Sequence, residues 1–172
     1  MHFNDPSLFE ALLSRLYQAL NRCDTQRECA WAITREVMPF MQLDDCVIYL
    51  ADAEQRNLSQ SAAFGPKMAA QNVMETHISL AFGEGIVGAC AANQSCIIVA
   101  DTRLDPRYVL DQQLRLSEIA VPIIHGGLVY AVIDSEHVEA NHYTVEHQRS
   151  LETLAFIAAP FFARFGLRSR KA

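Results

Sequence analysis

The segments Ser117–Ile124 (SEIAVPII) and Leu128–Glu136 (LVYAVIDSE) are apolar, β-branched runs separated only by His125-Gly126-Gly127. A connection this short joins antiparallel strands, because a parallel return needs a crossover of about a dozen residues or more. A second pair, Asp45-CVIYLAD and RNLSQSAAF, turns at Asp52 to Gln55. Two hairpins predict an antiparallel sheet and argue against a doubly wound parallel one.

Helical periodicity lies at the two ends. Leu8, Phe9, Leu12, Leu13, Leu16, Tyr17 and Leu20 form one apolar stripe after Pro6. Asp24 is the expected cap of a second helix through Trp31, Ile33 and Val37, ending near Met38 at Pro39. Thr144 is expected to cap a long last helix carrying Leu151, Leu154, Ala155, Ala158, Phe161, Phe162 and Phe165, with Pro160 bending it or starting a new turn. Helices gathered at both ends of an antiparallel sheet make the fold class α+β.

Gly83 to Gly88, GEGIVG, has the G-x-G-x-x-G spacing of a dinucleotide loop, and Asp101 follows where a ribose-binding acid belongs. The context is wrong for that site. The preceding strand, THISL, alternates as if covered on one face, the following helix from Ile86 to Asn93 is short, and hairpins flank both sides. The glycines are read instead as a sharp entry into a closely packed short helix. The strand CIIVA and the loop DTRLDPRYVLDQQL follow.

The chain has 172 residues, 51% of them hydrophobic, and reads as one domain across 1–172. Its core is expected at about 24–159, with an N-terminal helix over 1–22, a C-terminal helix over 144–166 and a tail at 167–172. A net charge of −6 argues against a nucleic-acid partner. No signal peptide or spanning segment is legible, so no membrane association is expected. The five cysteines (Cys23, Cys29, Cys46, Cys90 and Cys96) are odd in number and lack C-x-x-C spacing, which suggests reduced thiols in a cytoplasmic protein. His137, His142 and His147 are spaced by five, which does not suit one helical metal site, so surface histidines and no metal centre are expected.

The run GEGIVGACAANQSCIIVADTRLDPRYV, then SEIAVPII, GLVYAVIDSEH, Tyr143-Thr144 and a terminal helix together resemble a GAF domain. The resemblance covers nearly the whole chain and is strongest from Gly83 to Leu154. It implies a central antiparallel sheet of five to six strands with the N- and C-terminal helices on one face. A ligand pocket would lie on the other, under the short helices and the Asp101 to Leu116 loop. It also implies a cytoplasmic regulatory module that signals through terminal helices paired in a homodimer.

Within that fold, SEIAVPI and IDSE are similar to segments of the free-methionine-(R)-sulfoxide reductases. That branch has a cysteine directly before the last glycine of the motif, where Val87 stands here. It has a second cysteine soon after the DPR-like region, whereas Tyr108 to Leu116 contains none. It also has paired acids where this chain reads Val132-Ile133-Asp134-Ser135. These departures argue against thiol catalysis, with Cys90 and Cys96 as the conceivable substitutes. No Cys-His dipeptide suggests bilin attachment.

Glu118 and Asp134 lie on neighbouring strands amid Ala120 to Pro122 and Ala131 to Ile133. Facing one pocket, they would favour a cationic or multi-donor ligand such as an amine, and the resemblance points the same way. The competing reading pairs Glu118 with Arg115 or Arg107 and makes Asp134 a turn residue. Further pocket candidates are Tyr108 as a lid, Phe82, Ile86 and Val87 as an apolar wall, and Asp101, which also shapes its loop. His77 is a candidate by position. The expected function is a small-molecule-sensing regulatory module; the alternatives are a reductase-like thiol enzyme and a non-binding dimerisation domain. The ligand and any cofactor are not legible. Nor is it legible whether the chain stands alone, acting on a separate output protein, or is part of a longer one.

Overall fold

A computed structural model describes residues 5–70, 73–74, 78–110 and 113–169. In chain order these form α1 (Pro6–Asn21), α2 (Gln26–Met41), β1 (Cys46–Ala51), β2 (Asn57–Phe64), β3 (Met68–Ala70), β4 (Val73–Met74), β5 (Ser79–Ala81), α3 (Gly85–Asn93), β6 (Ile97–Val99), β7 (Ser117–His125), β8 (Leu128–His137) and α4 (Val145–Ser169). The main sheet has six strands in the order β5-β2-β1-β8-β7-β6, every neighbouring pair antiparallel. This is the expected α+β architecture.

The β7–β8 hairpin is the centre of the fold. Its turn places Gly126 and Gly127 at positive φ, and its ladder runs from Ser117↔His137 to His125↔Leu128. β8 also pairs with β1, setting Val47 opposite Asp134 and Ile48 opposite Ile133. At the other hairpin, Gln55 adopts φ 56° and its side-chain amide bonds both the N–H and the C=O of Val129, so it continues the ladder beyond the strand end.

α2 packs on β1 and β2, and α4 packs on β7 and β8, while α1 makes its main contacts with α2 and α4. Leu12, Leu16 and Leu20 of α1 are fully buried, as are Ile33, Val37, Met38, Leu151, Leu154 and Phe162 of the other two helices. α3 contacts β5, β7 and β8.

Two helix boundaries differ from the expectation. Thr25, not Asp24, caps α2, its hydroxyl accepting from Glu28 N at 3.1 Å while Glu28 Oε2 accepts from Asp24 N at 2.7 Å. This reciprocal box satisfies two amides, which a cap at Asp24 would not. α2 also runs through Pro39 to Met41 before Gln42 ends it at φ 55°. A proline near the last turn removes few helix bonds, and burial of Met38, Met41 and Leu43 holds the final residues in place. α4 likewise continues through Pro160.

The glycine motif acts as turn and packing surface. Gly83 and Gly85 have φ of +91° and +67°, and the Gly83 amide donates to Gly88 O at 2.8 Å. A Cβ on Gly88 would lie 2.2 Å from Ala81 O, so only glycine lets α3 sit this close to β5. With no parallel strand pair in the main sheet, there is no dinucleotide fold around it.

Candidate ligand-binding cleft

On the face of the sheet opposite α2 and α4, the walls of a small cavity come from Tyr49 of β1, Ile78 and Leu80 near β5, Gly85, Ile86 and Val87 of α3, Val109 of the loop, and Glu118, Asp134 and Glu136 of the central hairpin. Its volume is about 20 Å³. The cleft is therefore narrow, with room for about one water as it stands.

Antiparallel register explains the acidic wall. Glu118 sits directly across from Glu136, and Asp134 pairs with Ala120 two residues along. Side chains two apart on a strand share a face, so Asp134 and Glu136 point the same way and meet Glu118 across the ladder. All three are buried, at 5%, 3% and 4% exposure for Glu118, Asp134 and Glu136. Glu136 was absent from the expected set. Its signal was available: it stands two residues beyond Asp134 on the same strand face.

The opposite wall is apolar. Ile86, Val87 and Cys90 fall at helical spacing on α3 and are buried. Burial, followed by the fields of Cys96, Asp134 and Glu118, raises the Cys90 thiol well above its ordinary range, so Cys90 lies within electrostatic reach of the acids as a neutral group. Burial also pushes Cys96 up to about 12, with Glu152 adding to the effect.

The loop after β6 closes the third side. Its base is anchored where Thr102 N donates to Leu116 O and the Thr102 hydroxyl donates to Arg115 O. Tyr108 donates its hydroxyl to Glu136 Oε1 at 3.0 Å and accepts from the Arg115 amide at 3.1 Å. Tyr108 therefore joins the loop to the acidic wall without itself lining the void. Val109 comes so close to the start of α3 that a Cβ on Gly85 would be 3.2 Å from its Cγ2. The arginines weighed as partners of Glu118 have other carboxylates: Arg107 grips Asp105 through two bonds of 2.9 and 2.6 Å, and Arg115 lies 3.7 Å from buried Asp45. Arg107 still feels the field of Glu118.

The remaining candidates are placed elsewhere. Phe82 packs at the edge of the core and is not on the cavity wall. Asp101 caps the short 3-10 turn at Thr102–Leu104 and pairs with Arg103 at 2.6 Å, beside a separate open depression. His77 lies outside the described residues. The three histidines expected on the surface are instead brought together: the rings of His137 and His142 stack at 3.5 Å, His147 is 5.3 Å from His142, and His147 is only 3% exposed. Chain reversal after β8 returns them to one spot, which even spacing by five could not reveal.

Among solved structures, a GAF domain from a phosphoenolpyruvate-protein phosphotransferase of Coxiella burnetii is similar, with 18% identity over 97% of this chain and 99% of that one, and a TM-score of 0.80. The free methionine-R-sulfoxide reductase from Neisseria meningitidis, in complex with its substrate, gives 20% identity over 92% and 90% of the two chains, with a TM-score of 0.78. The GAF domain of an Acinetobacter phosphoenolpyruvate-protein phosphotransferase gives 19% identity over 91% and 93%, also with a TM-score of 0.78. A search of curated protein sequences gave no significant match. No described helix is long and apolar enough to cross a membrane. A sequence model of the GAF domain family matches residues 23–163, and the chain belongs to that family.

Proposed function

We propose that the protein is a cytoplasmic sensory module that binds a small cationic ligand in the acidic cleft and does no chemistry on it. The observation that carries this reading is the crowding of Glu118, Asp134 and Glu136, all buried, against one apolar wall. Like charges held together away from water repel, and a ligand bearing an ammonium or several N–H donors relieves that repulsion while its apolar part meets Ile86 and Val87. The narrow void means that binding moves the 105–110 segment outward. A larger ligand therefore discriminates between two loop positions, which is what a sensor requires.

The resulting signal leaves through α1 and α4. Tyr17 and Phe161 make an edge-to-face pair at 5.5 Å on the outer surface, beside Phe156 at 81% exposure. A homodimer through these two helices would cover that apolar strip and relay the change to a separate output protein.

In favour of a reductase reading are the likeness to the Neisseria meningitidis enzyme and the fields of Asp134 and Glu118 at Cys90. Against it, a fully buried thiol held neutral is a poor nucleophile. The deciding experiment is native mass spectrometry of freshly purified protein, followed by melting curves with a panel of amines and amino acids. A retained or stabilising amine, lost in the Glu118→Gln/Asp134→Asn double variant, supports the sensor. Turnover of free methionine sulfoxide with a dithiol reductant, abolished by Cys90→Ser, would replace it by the enzyme.

A further inference from the structure

From the cluster at the end of β8, we propose a transition-metal site formed by His137, Glu139 and His142, suited to a borderline divalent ion such as Zn²⁺. The ligand atoms of these three residues lie within 4.8 Å of one another. Two imidazoles and a carboxylate are a donor set that favours zinc-like ions over magnesium or calcium, which prefer oxygen alone. This site is separate from the acidic cleft and does not depend on what binds there.

The surroundings of His137 give the site its direction. Nδ1 accepts the Glu139 amide at 3.0 Å and so presents its lone pair to the loop that carries Glu139 and His142. Nε2 lies 3.2 Å from Asp44 Oδ2. A carboxylate on the far nitrogen is the arrangement that orients metal-bound histidines and strengthens them as donors. Asp44 is thus a positioning residue, and the ion takes the lone pair that now meets the Glu139 amide.

His137 and His142 stack with 12° between their planes, so one ion cannot lie in both planes at once. Coordination requires one ring to turn. His142 is the ring free to do so: it is half-buried on the loop, and no hydrogen bond holds it among the described residues. His147, at the first turn of α4 with its ring 5.3 Å from that of His142, stands next to the site. An ion here would tie the end of the central strand β8 to the loop that starts α4.

The test is calorimetric titration of Zn²⁺ into the full chain after chelator treatment at neutral pH, with Mg²⁺ as the contrast. One Zn²⁺ per chain is expected, with no Mg²⁺ binding at the same concentration. His142→Ala and Glu139→Gln should each weaken Zn²⁺ binding about tenfold or more, and Cys96→Ser should leave it unchanged. Glu139 is exposed, so its variant carries the test should His142→Ala fail to fold. Absence of stoichiometric Zn²⁺ binding, equal affinity in the Glu139 variant, or loss of binding in the Cys96 variant would each overturn the proposal.

Discussion

Glu118 and Glu136 are direct cross-strand partners in the β7–β8 ladder, both buried on the face that carries the cleft. Like charges opposite one another destabilise an antiparallel pair. Both side chains already have partners within the protein, the Tyr108 hydroxyl among those of Glu136, so a cation bound here would add to those contacts.

Replacing Glu118 by Gln keeps the shape and removes one of the two facing carboxyl groups. The ligand-free variant is expected to gain about 0.5–1 kcal/mol in urea unfolding, the scale of a cross-strand charge pair. A loss of stability would mean that the carboxylate is already compensated by its protein neighbours.

Tyr108→Phe removes the hydroxyl that donates to Glu136 and accepts from the Arg115 amide. The expected cost is about 1 kcal/mol, and hydrogen exchange at the Arg115 amide should speed up while β7 and β8 stay protected. Unchanged exchange at Arg115 would show that the loop is held by Thr102 and Val109 alone.

Gly88→Ala and Gly83→Ala separate two uses of glycine in one motif. At Gly88 the new Cβ meets the backbone oxygen of Ala81 at 2.2 Å, so α3 must shift, at a cost of about 3 kcal/mol. At Gly83 nothing lies within 4 Å, and only the positive φ is penalised, at about 1–2 kcal/mol. Thermal unfolding of both variants checks the order.

The reactivity of the thiols is a direct chemical check on the reductase reading. With Cys96 pushed up to about 12 and Cys90 raised and buried, the thiolate fraction at pH 8 is very small. Alkylation of native protein by iodoacetamide at pH 8 should run about a hundredfold or more slower at both sites than in urea-unfolded chain. A fast-reacting Cys90 would revive the enzyme reading.

Much of the architecture was legible because short-range chemistry decides it. His125-Gly126-Gly127 between two β-branched runs leaves the chain no option but a hairpin, and period 3.6 in Leu12, Leu16 and Leu20 marks a buried helix face. The cap of α2 was misplaced by one residue because both Asp24 and Thr25 are good caps. Only the reciprocal bond with Glu28 distinguishes them.

What the sequence by itself determined is local: strand alternation, turn chemistry, helix faces, and the fact that Glu118 and Asp134 stand on neighbouring strands. The tertiary structure decided the register that sets Glu118 against Glu136, the separation of Asp101 and Phe82 from the cleft, and the meeting of His137, His142 and His147. The physical reason is that residue spacing specifies which face a side chain takes within one element. Which faces then come together depends on pairing register and chain reversal, and those follow from the packing of the whole domain.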